Sequence, residues 1–177
     1  QTWKTFKSKF PSNKVIQFTA TPFRNDNKPL GGKIIFNYPL RRAQEKGYFR
    51  PITFKPVIEF NPEHADQKIA ETAVAQLRAD IQAGVNHILM ARVSSVSRAN
   101  EVALIYAQYA DLNPVEIHTG IGVGERTEIK RRLLSGEIKI VICVDMLGEG
   151  FDLPELKIAA MHDVRKSLPI TLQLIGR

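Results

Sequence analysis

The chain has 177 residues, 44% of them hydrophobic, and a formal net charge of +7. That is enough apolar content to bury a core, and the longest apolar runs are only strand-sized, which excludes a membrane-spanning helix in this sequence. The basic excess fits a polyanionic partner and a merely solvated surface about equally well.

The sequence opens Gln1-Thr2-Trp3, with no initiating methionine or charged-then-apolar leader, and stops at Gly176-Arg177, so it reads as a piece of something longer. Trp3, Phe6 and Phe10 fall at helical spacing, and Pro11 ends that pattern. Lys14 to Phe18 reads as a short buried strand running into Thr19-Ala20-Thr21-Pro22. From Asn25 to Pro62 the rhythm changes to prolines and the pair Gly31-Gly32. This stretch surrounds a possible strand Lys33–Tyr38, a short basic helix Pro39–Lys46 and an extended run Ile52–Phe60. It is expected to be a connector and not a compact core.

Beyond Pro62 the pattern is regular. A helix over 63–83 aligns Ile69, Ala73, Leu77 and Ile81, with Gly84 as its stop. A strand His87–Ala91 follows, then a helix over 96–110 with Ala99, Val102, Ala103, Tyr106 and Ala110 inward. Next come strand Val115–His118, helix 124–135, strand Ile138–Val144, strand Lys157–Met161 and a helix from about Pro169. Strands alternating with helices predict an α/β fold with a parallel sheet covered on both faces. Ligands of such sheets gather at the carboxyl ends of the strands, which is where Asp145–Pro154 would lie.

The single cysteine, Cys143, sits in an apolar strand, so it has no internal disulfide partner and fits a reducing cytoplasm. His64, His87, His118 and His162 show no metal-ligand spacing, and no structural metal is expected. Two glycine patterns fail as nucleotide cradles. Gly120-Ile-Gly-Val-Gly124 has Glu125 where a dinucleotide fingerprint needs glycine. Gly32-Lys33 is followed by Ile34 where a phosphate loop needs Ser or Thr, with Asn27 in place of its leading glycine.

Three segments remain: Thr19-Ala-Thr-Pro22, Asp145–Pro154 and Gln173-Leu-Ile-Gly-Arg177. Their order and spacing resemble motifs III, V and VI of superfamily-2 helicases of the DEAD-DEAH type. Their flavour is similar to the branch holding restriction-enzyme motor subunits and DNA repair helicases. The resemblance implies a RecA-like helicase C-terminal domain at 62–177, truncated within motif VI. It would be preceded by the end of a first RecA-like motor domain at 1–38 and a linker at 39–61.

The resemblance also assigns roles. ATP with Mg2+ would lie between two motor domains, with the phosphate loop and the magnesium-binding acids supplied by the first, ahead of residue 1. Gly150 would let bare backbone approach the nucleotide, and Asp152 would accept from the ribose hydroxyls. Asp152 as a turn or capping residue before Pro154 is the alternative. Gln173 would sense the γ-phosphate, and Arg177 would balance charge on the transferred phosphoryl group; a surface arginine at a helix end is the plain alternative. Thr19 and Thr21 would couple hydrolysis to the nucleic-acid track, or merely cap a turn. Nucleic acid, DNA before RNA, would meet Arg92, Ser94, His118, Thr119, Gly120, Met146 and Leu147, although His118 reads equally as a satisfied histidine at a strand end. Two departures matter: Val144 stands where relatives carry Thr or Ser, and the chain stops before a second motif VI arginine.

The expected function is therefore part of an ATP-dependent DNA helicase or translocase, inactive as an ATPase in this piece alone. Its partners would be the N-terminal motor domain in cis and restriction-modification or repair subunits, with no membrane. A catalytically silent nucleic-acid-binding or docking module on the same fold is the alternative. A different Rossmann-like nucleotide-binding enzyme is a third, disfavoured by the failed glycine pattern.

Overall fold

The computed structural model describes residues 5–6, 8–11, 14–19, 32–48, 52–144 and 153–163. In chain order the elements are α1 (Leu40–Glu45), α2 (Pro62–Gln82), β1 (Ile88–Val93), α3 (Val96–Tyr106), β2 (Val115–Ile117), α4 (Val123–Leu134), β3 (Ile140–Val144) and β4 (Leu156–Met161). A 3-10 helix, Ala107–Leu112, extends α3. The expected helix from Pro169 lies outside the described residues.

Local chemistry sets each helix. Asn61 caps α2 by accepting from the Glu63 amide, and Pro62 supplies a preset φ at the first helical position. At the far end Gly84 turns left-handed with φ 76°, Gly84 N–H bonds to Ile81 C=O, and Val85 N–H to Asp80 C=O. Those two bonds satisfy carbonyls the helix would leave open. The buried face of α2 is Ala70, Ala73, Val74 and Leu77. Ala73 and Leu77 are buried as expected, whereas Ile69 is only partly buried, Ile81 is 39% exposed, and Ala70 and Val74 complete the buried face.

The four strands stand in the order β2-β3-β1-β4, and every pairing is parallel. Parallel pairing needs crossovers, and the intervening helices cover the two faces. On one face α2 and α3 pack Leu77, Val102 and Tyr106 against Leu89, Ala91, Ile140 and Ile142. On the other α4 packs Ile129 and Leu133 against Ile88, Met90, Val141 and Cys143. Every residue of β1 is buried, as a central strand requires. Each large aliphatic side chain so enclosed contributes about 1.5–3 kcal/mol. The Cys143 side chain is part of this packing, 1% exposed. Ala110, expected inward, is exposed, because Tyr109 leaves helical geometry (φ −105°, ψ 46°) and re-aims the chain.

Ahead of α2 the described chain is mostly extended. The expected strands Lys14–Phe18 and Lys33–Tyr38 are extended but join no sheet among the described residues. Phe18, Phe54 and Phe60 stand 95%, 84% and 93% exposed. The short basic helix is present as α1, with Arg41 paired to Glu45 and the Arg42 guanidinium over the Tyr38 ring.

Candidate functional site

Because all four strands are parallel, their carboxyl ends share one edge of the sheet. There β1 gives Ser94 and Ser95, β2 gives His118-Thr119-Gly120, β3 ends at Val144, and β4 gives His162 and Asp163. Val144 is the β-ladder partner of Val93, immediately before Ser94, and Cys143 is the partner of Ile117, immediately before His118. The topology thus gathers Ser94 and His118–Gly120 on the edge where β3 ends at Val144. Gly150, Asp152, Gln173, Arg177, Met146, Leu147 and Thr21 lie outside the described residues. Thr19 is exposed at the end of an extended run.

Arg92 does not present a surface contact. The sequence ended β1 at Ala91, but the strand continues to Val93, and Arg92 sits within it beside Cys143 and Met161, 3% exposed. A side chain so enclosed has no face to offer a phosphate in this conformation.

The β2 loop is held from inside the chain. Gly120 N–H donates to His118 Nδ1 at 3.1 Å, and a Cβ on Gly120 would meet the imidazole at 3.1 Å, so glycine permits this close approach. Arg126 donates from Nε to Ile121 C=O at 3.0 Å and from Nη2 to Thr119 C=O at 2.8 Å. Arg126 is thus the strut of this loop. Two further arginines of α4 are paired: Arg131 with Glu128, and Arg132 with Glu137 at 2.6 Å. Beneath the loop a cleft of about 430 Å³ lies between β2, α3 and α4, lined by Glu116, Glu125, Glu128 and Arg132 among others. Its surplus of carboxylates does not suit a phosphate.

A second network ties the ends of β1 and β4 to two helices. Asp163 accepts from the Ser94 amide at 2.6 Å and from Arg98 Nε at 3.2 Å. Arg98 also donates to Asp66 at 2.7 Å and to Glu101 at 2.7 Å, while Ser95 Oγ caps α3 by accepting from the Arg98 amide. Asp66 in turn holds His162 Nδ1 at 2.9 Å, and Tyr106 Oη meets His162 Nε2 at 3.1 Å. Burial holds His162 below its ordinary value against the pull of Asp66, so the ring is neutral. With Nδ1–H given to the Asp66 carboxylate, Nε2 is left to accept from the tyrosine hydroxyl. Burial works to raise the Asp163 carboxyl, but Ser94 and Arg98 together outweigh it and keep the group below the usual carboxylate range. Burial pushes the Tyr106 phenol well up. Among the described residues no three His, Cys, Asp or Glu side chains gather in a way that could hold a metal ion. No described helix is long and apolar enough to cross a membrane.

The family described as "Helicase conserved C-terminal domain" matches residues 70–177, which takes in the sheet and both C-terminal motif segments. The chain belongs to the helicase C-terminal domain family, within superfamily-2. Among sequence relatives, UvrABC system protein B of Chlamydia pneumoniae is 46% identical over 170 residues, covering 93% of this chain and 24% of that protein. The chain therefore spans about a quarter of that relative's length. Among solved structures, the Pyrococcus furiosus Hef helicase domain aligns with TM-score 0.52 and 16% identity over 63% of this chain and 22% of that one. Domain 2 of the Mss116p DEAD-box helicase, bound to an RNA duplex, aligns with TM-score 0.52 and 21% identity over 64% of this chain and 44% of that one. These two likenesses establish the fold: the parallel sheet with flanking helices is the RecA-like fold of helicase C-terminal domains.

Proposed function

We propose that this helicase C-terminal domain is the second motor lobe of an ATP-dependent DNA helicase or translocase. The observation that supports the reading is the gathering, on one edge of a parallel sheet, of the Ser94 and His118–Gly120 loops and the carboxyl end of β3 at Val144. Within the family such a lobe works against a first motor domain that holds ATP and its Mg2+. In this reading residues 1–38 belong to that first domain, 39–61 link the two, and Thr19 and Thr21 couple them. Gly150, Asp152, Gln173 and Arg177 reach the nucleotide when the cleft closes, and hydrolysis reopens it. That alternation is a population shift driven by nucleotide contacts that differ between two states.

On the nucleic-acid side, Ser94, His118, Thr119 and Gly120, with Met146 and Leu147, meet the backbone without reading bases, which suits a motor that must pass any sequence. DNA is preferred to RNA because the 46% relative belongs to a system named UvrABC and because the motif flavour resembles DNA-acting branches. Repair or restriction-modification subunits are the corresponding partners.

The test is ATP turnover by the full-length protein with single-stranded DNA, duplex DNA and RNA in turn. Stimulation by DNA above the rate without polynucleotide is expected. Binding of DNA with no ATP turnover would favour the silent docking module instead, and stimulation by RNA alone would reassign the substrate.

A further inference from the structure

The stretch from Phe36 to Tyr48 gathers aromatic rings and cations around α1. The rings of Phe36 and Tyr38 lie 6.4 Å apart and near-parallel, at 21°, and the Arg42 guanidinium sits over the Tyr38 ring at 5.4 Å. Lys46 follows Arg42 by one turn, its N–H bonded to Arg42 C=O at 3.1 Å. Tyr48 is brought back to the end of α1 by a left-handed turn: Gly47 takes φ 73°, Gly47 N–H bonds to Gln44 C=O at 3.0 Å, and Tyr48 N–H bonds to Ala43 C=O at 2.9 Å. These contacts are all local to residues 36–48, so the grouping is built without help from any distant segment.

The same groups face water. Phe36 and Tyr48 are each 76% exposed, and Tyr38 is 38% exposed. Arg41 and Glu45 neutralise each other, whereas neither Arg42 nor Lys46 has a carboxylate partner among the described residues. A solvated basic surface has no use for large rings placed beside its cations. An aromatic face offers any base a stacking surface, and a guanidinium or ammonium beside it takes the adjoining phosphate. A protein docked over these rings would have to bury two cations or supply acids for them, so a polyanion is the better match. In a duplex the base faces are covered by one another, which narrows the fit to a single strand.

We propose that Phe36, Tyr38, Arg42, Lys46 and Tyr48 form a binding surface for single-stranded nucleic acid, distinct from the strand-end loops. Bases stack on the Phe36 and Tyr48 rings, and phosphates meet Arg42 and Lys46. This rests on the reading of the chain as part of a nucleic-acid motor. The surface reads no sequence, because every base has a face to stack and all phosphates are alike. It gives the strand a hold outside the sheet edge of the second lobe.

The experiment uses the full-length protein and a fluorescent single-stranded oligodeoxythymidylate, without ATP, read by anisotropy over a salt series. Phe36→Leu and Tyr48→Leu keep an apolar side chain and remove the ring. Each is expected to bind about 5-fold weaker or more, the low end of what one lost base–ring stack costs, with the salt slope unchanged. Arg42→Gln and Lys46→Gln are expected to bind weaker, each with the slope reduced by about one phosphate. Arg78, on α2 and paired with Asp111, is the control: Arg78→Gln removes an equal charge and is expected to keep the wild-type slope. Wild-type affinity in both ring variants, or the same loss of slope in Arg78→Gln, overturns the proposal. If the face docks protein instead, the ring variants lower the melting midpoint and leave oligonucleotide affinity unchanged, which also overturns it. Photo-crosslinking of the wild type to the oligonucleotide carrying 5-iodouracil needs no variant. Adducts at Phe36, Tyr38 or Tyr48 support the surface, and adducts confined to other residues refute it. If the ring variants weaken binding but DNA does not stimulate ATP turnover, the motor reading falls and this surface stands. If turnover is stimulated and the variants bind as wild type, this surface alone falls; if the wild type binds no polynucleotide, both fall.

Discussion

Replacing Tyr106 by Phe removes one oxygen from the middle of the molecule. The residue is 0% exposed, and its hydroxyl is the partner of His162 Nε2 at 3.1 Å, while the His162 side chain itself is 0% exposed. Phenylalanine fills the same space, so the packing of the ring against the α2–α3 face of the sheet is kept and the cavity contribution is small. What is lost is the donor to a buried acceptor. Leaving such a group unsatisfied costs about 1–3 kcal/mol. For a folding unit of about 100 residues, each kcal/mol lowers the melting midpoint by roughly 4–8 °C. Tyr106→Phe should therefore melt at least about 4 °C below wild type, followed by circular dichroism at neutral pH. In an Asp66→Asn background the same change should cost measurably less, because the imidazole is already released from its fixed orientation. A loss under about 0.5 kcal/mol in the wild-type background would show that Nε2 does not depend on the tyrosine, and the neutral Asp66–His162–Tyr106 chain would be wrongly drawn.

Other outcomes follow from the same geometry. His162 is held neutral below its ordinary value, so the unfolded chain takes up a proton near pH 6.5 while the fold does not; stability is full above that pH and declines as pH falls below it. His162→Gln should flatten that limb in urea unfolding measured across pH, whereas the depressed Asp80 and Asp163 lose their contributions only at more acidic pH. Gly84→Ala should cost about 1–2 kcal/mol, purely from its left-handed backbone. A Cβ there meets nothing within 4 Å, so a larger loss would point to an unrecognised contact. If Arg177 acts at the transferred phosphoryl group as proposed, Arg177→Ala in the full-length protein should lower ATP turnover about 10³-fold or more with nucleotide affinity nearly unchanged; a defect confined to affinity would refute that proposal.

The α/β rhythm was readable because each signal is local. Gly84 stops α2, and the apolar run before Asp145 is β3. Strand ends were harder. Whether Arg92 closes a loop or enters a strand is decided by its ladder partners Cys143 and Met161, some fifty and seventy positions away. The face of α2 was read in part: Ala73 and Leu77 are inside, but Ala70 and Val74 join them while Ile81 near the helix end stays outside. The Asp66–Arg98–Asp163–His162 network left no trace in spacing, since its hydrogen-bonded partners are 32 to 96 residues apart and meet only once the sheet order is set. Arg126 looked like one more surface cation, and only the turn at Thr119 and Ile121 shows why it is there. The exposed apolar residues between 14 and 60 read as strands by composition, but a strand also needs a neighbour with free backbone groups.

In the proposed motor, one wall of this domain closes on a nucleoside triphosphate. A structure of the full-length protein with a non-hydrolysable ATP analogue and single-stranded DNA tests it directly. Asp152 is expected at the ribose and Gln173 and Arg177 at the γ-phosphate, each within about 3 Å of an oxygen. An analogue bound elsewhere, with these side chains turned away from it, would contradict the motor reading.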